Sequence, residues 1–561
     1  MRREMHPPHP ILGPLGTWRR RGFLAVTPAA LAAACGPSTA PSAQGTPAAT
    51  GEQKPPAAVV KGGTLNFAGI ADAKSMMPLI TSDSASSAYQ DRHWDLPLLR
   101  RNPDSLEFET KYGAAEAYQI SPDGLTYTFK LKNNLQWSDG KPVTAQDWTF
   151  TFQKMMDPKV DYPYRNNYRT VESVTAPDDK TLAFKFTEPF CPAVERALFT
   201  PIPKHIYESL DINDNPQNQK PTVGSGPWLF KEWVKDSHAI FTANDKFFLG
   251  RPNLDQVVYR VVADANVVTA MLKAGEVDQG GIQAADWEEM KRVPNLQLFD
   301  YYSASPSWVY VGFNLKSDFF TDVRVRQAFT HATNRQLMTE RIRFGHARPL
   351  HSTYAPGSWA YTDDVPKFNF DVAKSKQLLD QAGWTVGAGG TRQKDGKQFK
   401  IRIFYNAGNK EREQVATVMQ QNLKDVGVEV EVISEEWNAY LNRVQKTKDA
   451  EMWVLGWSAS IEPWSFHNNI WQSQGGQNDA GYSNARVDEL VAAGAYQPGC
   501  KQEDRKKVYA EVQKIVANDQ PYMFLWESKS LQAVSSRIQP NPLSKTGIGY
   551  RLWEWSSRTG K

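Results

Sequence analysis

Apolar and polar residues alternate along Thr126-Tyr127-Thr128-Phe129-Lys130-Leu131-Lys132, with Tyr127, Phe129 and Leu131 on one side and Thr and Lys on the other. Leu182-Ala183-Phe184-Lys185-Phe186 repeats the period. Such runs predict half-buried strands of an antiparallel sheet with one wet face. Lys61-Gly62-Gly63-Thr64-Leu65-Asn66-Phe67 predicts a further strand after a glycine start. Ser138-Asp139-Gly140-Lys141-Pro142 carries turn chemistry. Thr144 then stands where it can cap a helix bearing Trp148, Phe152 and Met155 at helical spacing.

The period changes again in the middle of the chain. Phe399, Ile401, Ile403 and Tyr405 alternate as a strand. Val415, Val418, Met419, Leu423 and Val426 then share one helical face, with Gly427 at its C-terminal cap. Val428, Val430 and Val432 make the next strand. Strand, helix and strand with short joints predict a right-handed βαβ unit with parallel strands. A strand from Met452 to Leu455 is expected to break at Gly456. Ligands of such sheets lie in the crevice beyond the strands' C-terminal ends. Those ends deliver Tyr405 and Asn406, and Trp457 with the segment Ser458-Ala459-Ser460-Ile461-Glu462-Pro463-Trp464, as the candidate ligand-binding edge. Trp453, inside the strand, is expected in the core.

Ahead of this body stands an address. Arg20-Arg21-Gly22-Phe23-Leu24 opens a short apolar stretch that ends Leu31-Ala32-Ala33-Ala34-Cys35. The order of positive, apolar and small residues is that of a secretory leader, too short to span a bilayer. Arg20 and Arg21 look like a twin-arginine export signal, and Cys35 like a lipoprotein acceptor, although Ala32 replaces the Leu that pattern favours. Gly36 to Val60 is Pro, Ala, Ser, Thr and Gly with few bulky side chains, which predicts a disordered tether. An extracytoplasmic, lipid-anchored protein is expected, in the periplasm or on the outer face of the membrane.

At 561 residues, two or three domains are expected. The formal charge of +4 belongs to the leader: without its five Arg and Glu4, sixty basic residues face sixty acidic ones. A basic footprint is missing, which argues against nucleic-acid binding. Aromatics reach 12%, with 18 Trp. Nothing in the chain matches a phosphate loop, an HExxH site or a GxSxG elbow. The nine His are scattered, and no acid-base or nucleophile set converges, so neither enzyme, metal nor cofactor is expected. Beyond Cys35, Cys191 and Cys500 stand 309 positions apart without a CxxC or His neighbour. One bridge is open to them in an exported protein, but two unbridged thiols are the reading adopted.

Several ordered segments resemble the family-5 solute-binding proteins of ABC importers, the group of oligopeptide, dipeptide and nickel binders. They include Ser121-Pro122-Asp123-Gly124-Leu125, Trp137-Ser138-Asp139-Gly140-Lys141-Pro142, Gly224-Ser225-Gly226-Pro227-Trp228 and Leu272-Lys273-Ala274-Gly275-Glu276-Val277-Asp278. Asp322-Val323-Arg324-Val325-Arg326-Gln327-Ala328, Tyr482-Ser483-Asn484 and Arg505-Lys506-Lys507-Val508-Tyr509 continue the order. The resemblance implies an α/β, two-lobe periplasmic-binding-protein-like fold with an extra inserted domain, mixed sheets and hinge closure on ligand. It divides the chain into a signal (1–35), a tether (36–60), a first lobe (61–309, with an insertion at about 100–220), a second lobe (310–520) and a return (521–561). Crossings are implied near Tyr310 to Leu315 and near Pro521 to Trp526.

The implied function is the substrate-binding component of an ABC importer. A monomer would carry peptides, or a peptide-sized solute, to permease and ATPase subunits. Peptide-binding members use a Gly-Trp-x-x-Asp segment whose Asp pairs with the peptide's α-ammonium group. Here Gly456-Trp457-Ser458-Ala459-Ser460 places Ser460 at the Asp position. Serine cannot neutralise a buried ammonium, which leaves Glu462 as a substitute or a ligand without a free amine. Trp457 and Trp464 would suit stacking on a sugar as well as a peptide pocket. An oligosaccharide binder is therefore the alternative, with a stand-alone receptor or chaperone as the alternative of another class.

Overall fold

The computed structural model describes residues 59–558. Arg20, Arg21, Cys35 and nearly all of the expected tether lie outside the described residues.

Two large sheets and one smaller sheet organise the body. The first has seven strands in the order Leu296–Tyr301, Ser530–Ser535, Gln279–Gly281, Thr64–Gly69, Gln256–Val261, His238–Ala243 and Trp228–Val234. Between Thr64–Gly69 and Trp228–Val234 the chain builds a four-stranded antiparallel sheet, Ala115–Ile120, Thr126–Leu131, Thr181–Phe186 and Val171–Asp178. The alternation seen in the sequence is what holds it. Phe129, Leu131, Leu182, Phe184 and Phe186 are buried, while Lys130 and Lys185 are exposed. The helix Ala145–Met156 covers it with Trp148 and Met155 inward, its first turn closed where Thr144 N donates to Asp147 Oδ2 at 3.0 Å.

The second large sheet has six strands in the order Ala347–Pro349, Tyr522–Ser528, Ser307–Phe313, Met452–Ser458, Lys400–Asn406 and Glu429–Glu435. Lys400–Asn406, the helix Lys410–Lys424 and Glu429–Glu435 form the βαβ unit, with Ile401 opposite Val430 and Ile403 opposite Val432 in parallel register. Gly427 sits at φ +83°, and a Cβ there would stand 3.0 Å from Gly390 O, so only glycine ends this helix cheaply.

Two expectations need correction. The strand from Met452 does not break at Gly456 but runs on to Ser458, paired with Ser307–Phe313 along its length. Glycine here serves close approach: a Cβ at 456 would lie 3.0 Å from Trp308 O. Cys191 and Cys500 form a disulfide, with their Cα atoms 5.3 Å apart. Their separation of 309 positions hides a proximity made by tertiary packing, in which Cys191 N also donates to Ala495 O at 2.9 Å.

The chain passes from the seven-stranded to the six-stranded sheet between Tyr301 and Ser307, and returns between Ser528 and Ser530. The stretches 310–315 and 521–526 lie a few residues away and contribute strands of the six-stranded sheet. Helices Pro463–Ile470, Ala485–Ala495 and Gln502–Asp519 fall between the strands Met452–Ser458 and Tyr522–Ser528 of that sheet. They also touch the smaller sheet's surroundings. Phe190 meets Trp464 edge-on at 4.8 Å, Arg196 Nη2 donates to Ser465 Oγ at 2.5 Å, and Asn468 Nδ2 to Asn167 Oδ1 at 2.6 Å.

Candidate functional site

A cavity of about 820 Å³ opens between the two halves, within the range of about 300–1,000 Å³ usual for small-molecule sites. A chamber of about 380 Å³ shares Ser82, Gln445 and Gln477 with it, so the space is elongated.

One wall is the helix Ser84–His93. Its inner face is polar yet fully engaged: Tyr89 OH donates to Asp72 at 2.8 Å and Gln90 Nε2 to Thr81 Oγ1 at 2.8 Å. His93 accepts from Phe230 N at 3.0 Å through Nδ1, and Nε2 lies 3.1 Å from Val223 O. Burial pushes this imidazole down to about 3, so it stays neutral. With that face fixed, Ser84, Ser87, Ala88, Asp91 and Arg92, at helical spacing, line the cavity. The helix is capped by Asp83, whose carboxylate accepts from Ser86 N at 2.9 Å and Ser86 Oγ at 2.8 Å.

The opposite wall hangs on the six-stranded sheet. Trp308 and Val309 sit beside Gly456, Trp457 and Ser458, with Trp437 and Arg412 closing the side. Trp457 is half-buried, stands opposite Trp308 in the ladder and meets Phe466 edge-on at 6.3 Å. Arg412 is steered by Asn406, whose Oδ1 accepts from Nη1 at 2.6 Å. The turn after the strand is tied to the passage between the sheets: Ala459 N donates to Pro306 O at 2.9 Å, and Ser305 Oγ to Ala459 O at 2.6 Å.

Of the residues expected at the site, Trp457 and Ser460 line the cavity. Asn406 is buried behind the wall and reaches it only through Arg412. Tyr405, on the other side of the pleat, packs against the core of the second half. Trp464 is 1% exposed and points inward, edge-on to Phe190 with the Arg196 guanidinium 5.4 Å over its ring. Glu462 is buried beside a smaller pocket instead. It caps the helix Pro463–Ile470 by accepting from Trp464 N at 3.0 Å, and is bidentate with Arg505. A carboxylate so engaged cannot turn to the cavity without leaving Arg505 buried and unpaired.

Asp91, Arg92, Arg412 and Trp437 escaped the sequence reading. Asp91 opens to the cavity and has no hydrogen-bond or ion-pair partner among the described residues. Its side chain is exposed to the cavity, and desolvation by the surrounding cleft first, then Asp95, push its carboxyl up, although Arg92 and Arg100 pull the other way. The only signal was the spacing of Ser84, Ser87, Ala88, Asp91 and Arg92, a polar face that carries no hydrophobic contrast with its equally polar back.

Among the described residues no group of three His, Cys, Asp or Glu could hold a metal ion, and no helix is long and apolar enough to cross a membrane.

Residues 109–478 match the model of the bacterial extracellular solute-binding proteins, family 5 middle. The oligopeptide-binding protein AppA of Bacillus subtilis is 32% identical over 507 residues, covering 88% of this chain and 92% of its own. The structure of Bacillus subtilis AppA in complex with a nonapeptide superposes with a TM-score of 0.84 at 30% identity, over 89% of this chain and 99% of that one. The Helicobacter pylori periplasmic binding protein DppA in complex with the peptide STSA gives 0.79 at 26% identity, over 89% and 98%. The chain thus belongs to the family-5 extracellular solute-binding proteins, which are binding proteins of ABC importers and not enzymes.

Proposed function

We propose that this chain captures oligopeptides between two lobes and presents them to the permease and ATPase subunits of its importer. The lobes would be 61–301, with the return after Lys529, and the six-stranded half. Residues 302–306 and Lys529 would act as the hinge. The observation that carries this reading is the composition of the elongated cavity. It joins an aromatic wall, Trp457 and Phe466, to carboxylate and guanidinium groups from both halves, Asp91, Arg92 and Arg412. Peptides offer apolar side chains and opposite charges together, whereas a neutral sugar offers no charge. That AppA and DppA were solved with peptides in the same fold supports the reading. The leader adds its address: diacylglycerol on Cys35 and export in the folded state through Arg20 and Arg21, with the tether holding the body outside the membrane.

Calorimetric titration with peptides of four to nine residues and with neutral oligosaccharides tests the ligand class. Micromolar or tighter peptide binding is expected. Saccharide binding in its place would turn the assignment to the oligosaccharide alternative.

A further inference from the structure

The two walls of the cavity carry opposite charges that neither wall neutralises for the other, Asp91 on one and Arg412 on the other. Asp91 sits in the last turn of the helix Ser84–His93, where the carbonyl end of the helix favours positive charge. Arg412 sits in the first turn of the helix Lys410–Lys424, where the amide end favours negative charge. The two come from opposite walls. Arg412 is fixed by Asn406 and places Nη2 beside Gly456, 3.8 Å from where a Cβ would stand. Ser460, where the resemblance would place an acid, leaves that end of the cavity without a carboxylate of its own, since Glu462 is committed to Arg505.

Asp83 also lines the cavity, but it is spent on Ser86 and the helix cap. Asp91 has no such duty. Arg92 and Arg100 act on it only through space, and its side chain is exposed to the cavity. A carboxylate that faces the cavity with no hydrogen-bond or ion-pair partner among the described residues is placed to meet a cation carried by a ligand.

We propose that Asp91 receives the cationic group of the ligand and Arg412 its anionic group, so that the charge normally sought beyond Trp457 has moved to the opposite wall. The site then selects solutes carrying a free amine at one end and a carboxylate at the other. The proposal rests on the peptide reading above for its probes and names the polarity with which a peptide lies: amino end toward the helix Ser84–His93, carboxyl end toward Gly456.

The experiment is a double comparison by calorimetry on the purified exported form. A set of tetra- to nonapeptides is prepared with free or acetylated N-termini, and titrated into wild type and Asp91→Asn. Wild type should prefer the free amine by about 10- to 100-fold, the worth of a charged hydrogen bond in such a site. Asp91→Asn should compress that ratio below about threefold and leave the acetylated series unchanged. Amidated C-termini with Arg412→Gln should repeat the pattern at the other end.

Thermal melts check folding, and Asp91→Asn should melt no lower than wild type because the carboxylate has no contact to lose. An undiminished amine preference in Asp91→Asn would overturn the proposal while leaving peptide binding intact. Spermidine binding to wild type but not to Asp91→Asn, with peptides inert, would keep Asp91 as the cation partner and remove the peptide reading. Binding of a neutral pentasaccharide equally to both proteins would remove both.

Discussion

Replacing both Cys191 and Cys500 with serine should lower the melting temperature by a few degrees and loosen the contact between the two halves. The bridge joins a residue following the strand Thr181–Phe186 to the turn before the helix Gln502–Asp519, across 309 positions. That helix is anchored to the six-stranded half, since Arg326 Nε donates to Asp519 O at 2.9 Å and Thr330 Oγ1 to Gln520 Oε1 at 2.7 Å. The chain-entropy model gives about 6 kcal/mol for a loop this long, and measured bridges usually deliver about 2–4 kcal/mol. An unfolding entropy of about 2.1 cal/mol/K per residue, over roughly 500 residues, comes to about 1 kcal/mol/K. A drop of about 2–5 °C follows. Cys500 is exposed, so a phosphine reductant should reach the bridge in the folded protein and convert it to two thiols. Calorimetric melts of wild type with and without reductant, beside Cys191→Ser/Cys500→Ser, make the measurement. Reduced wild type should coincide with the double variant, which should ignore reductant. Two titratable thiols in the unreduced, denatured protein, or a variant that melts within 1 °C of wild type, would refute the reasoning.

Trp457→Ala should weaken ligand binding by about 5- to 150-fold, from about 1–3 kcal/mol of lost apolar contact. A fall in melting temperature with affinity intact would instead make it a packing residue. Asp479 is buried, with Oδ2 unpaired among the described residues, and burial holds its carboxyl up at about 7. A folded pKa above the unfolded value means that its contribution to stability grows as pH falls from 8 towards 4, by about 4 kcal/mol at most. The melting temperature of wild type relative to Asp479→Asn should therefore decline from pH 5 to pH 8, and a flat difference would count against it. Cys35→Ala should move the protein from membrane to soluble fractions, and equal partitioning would end the anchor assignment. Arg20→Lys with Arg21→Lys should hold precursor in the cytoplasm, whereas normal processing would point to another export route.

The βαβ unit was legible because Ile401, Ile403, Val430 and Val432 alternate as strands on either side of a helical period, and a helical crossover with short joints makes such a pair parallel. The central strands Ser307–Phe313 and Tyr522–Ser528 were harder. Tyr522–Glu527 is buried throughout, so its apolar run carries no period, and its partners lie some 200 positions away. Trp457 stood out because it lies at the C-terminal end of a strand that faces a crevice. Trp464 misled for the same reason: Glu462 starts a helix that turns the ring into the core. Asp91 was invisible. Its helix is held by hydrogen bonds from Tyr89, Gln90 and His93, not by an apolar stripe, and its wall meets Trp457 only after some 370 residues of intervening chain have folded.

The tie between Ala459 and Pro306 bears on the order of events during capture. Trp308, Trp457 and Arg412 belong to one sheet and its attached helix, and the turn beyond that sheet is fastened to the passage between the halves. They move as one piece, and this wall stands finished whether or not the opposite wall has arrived. Under the proposed hinge closure a solute diffusing in meets it first, and the helix Ser84–His93 is brought over it by rotation. Changes on the sheet wall should therefore slow association, while changes on the helix should leave association alone and shorten the residence time.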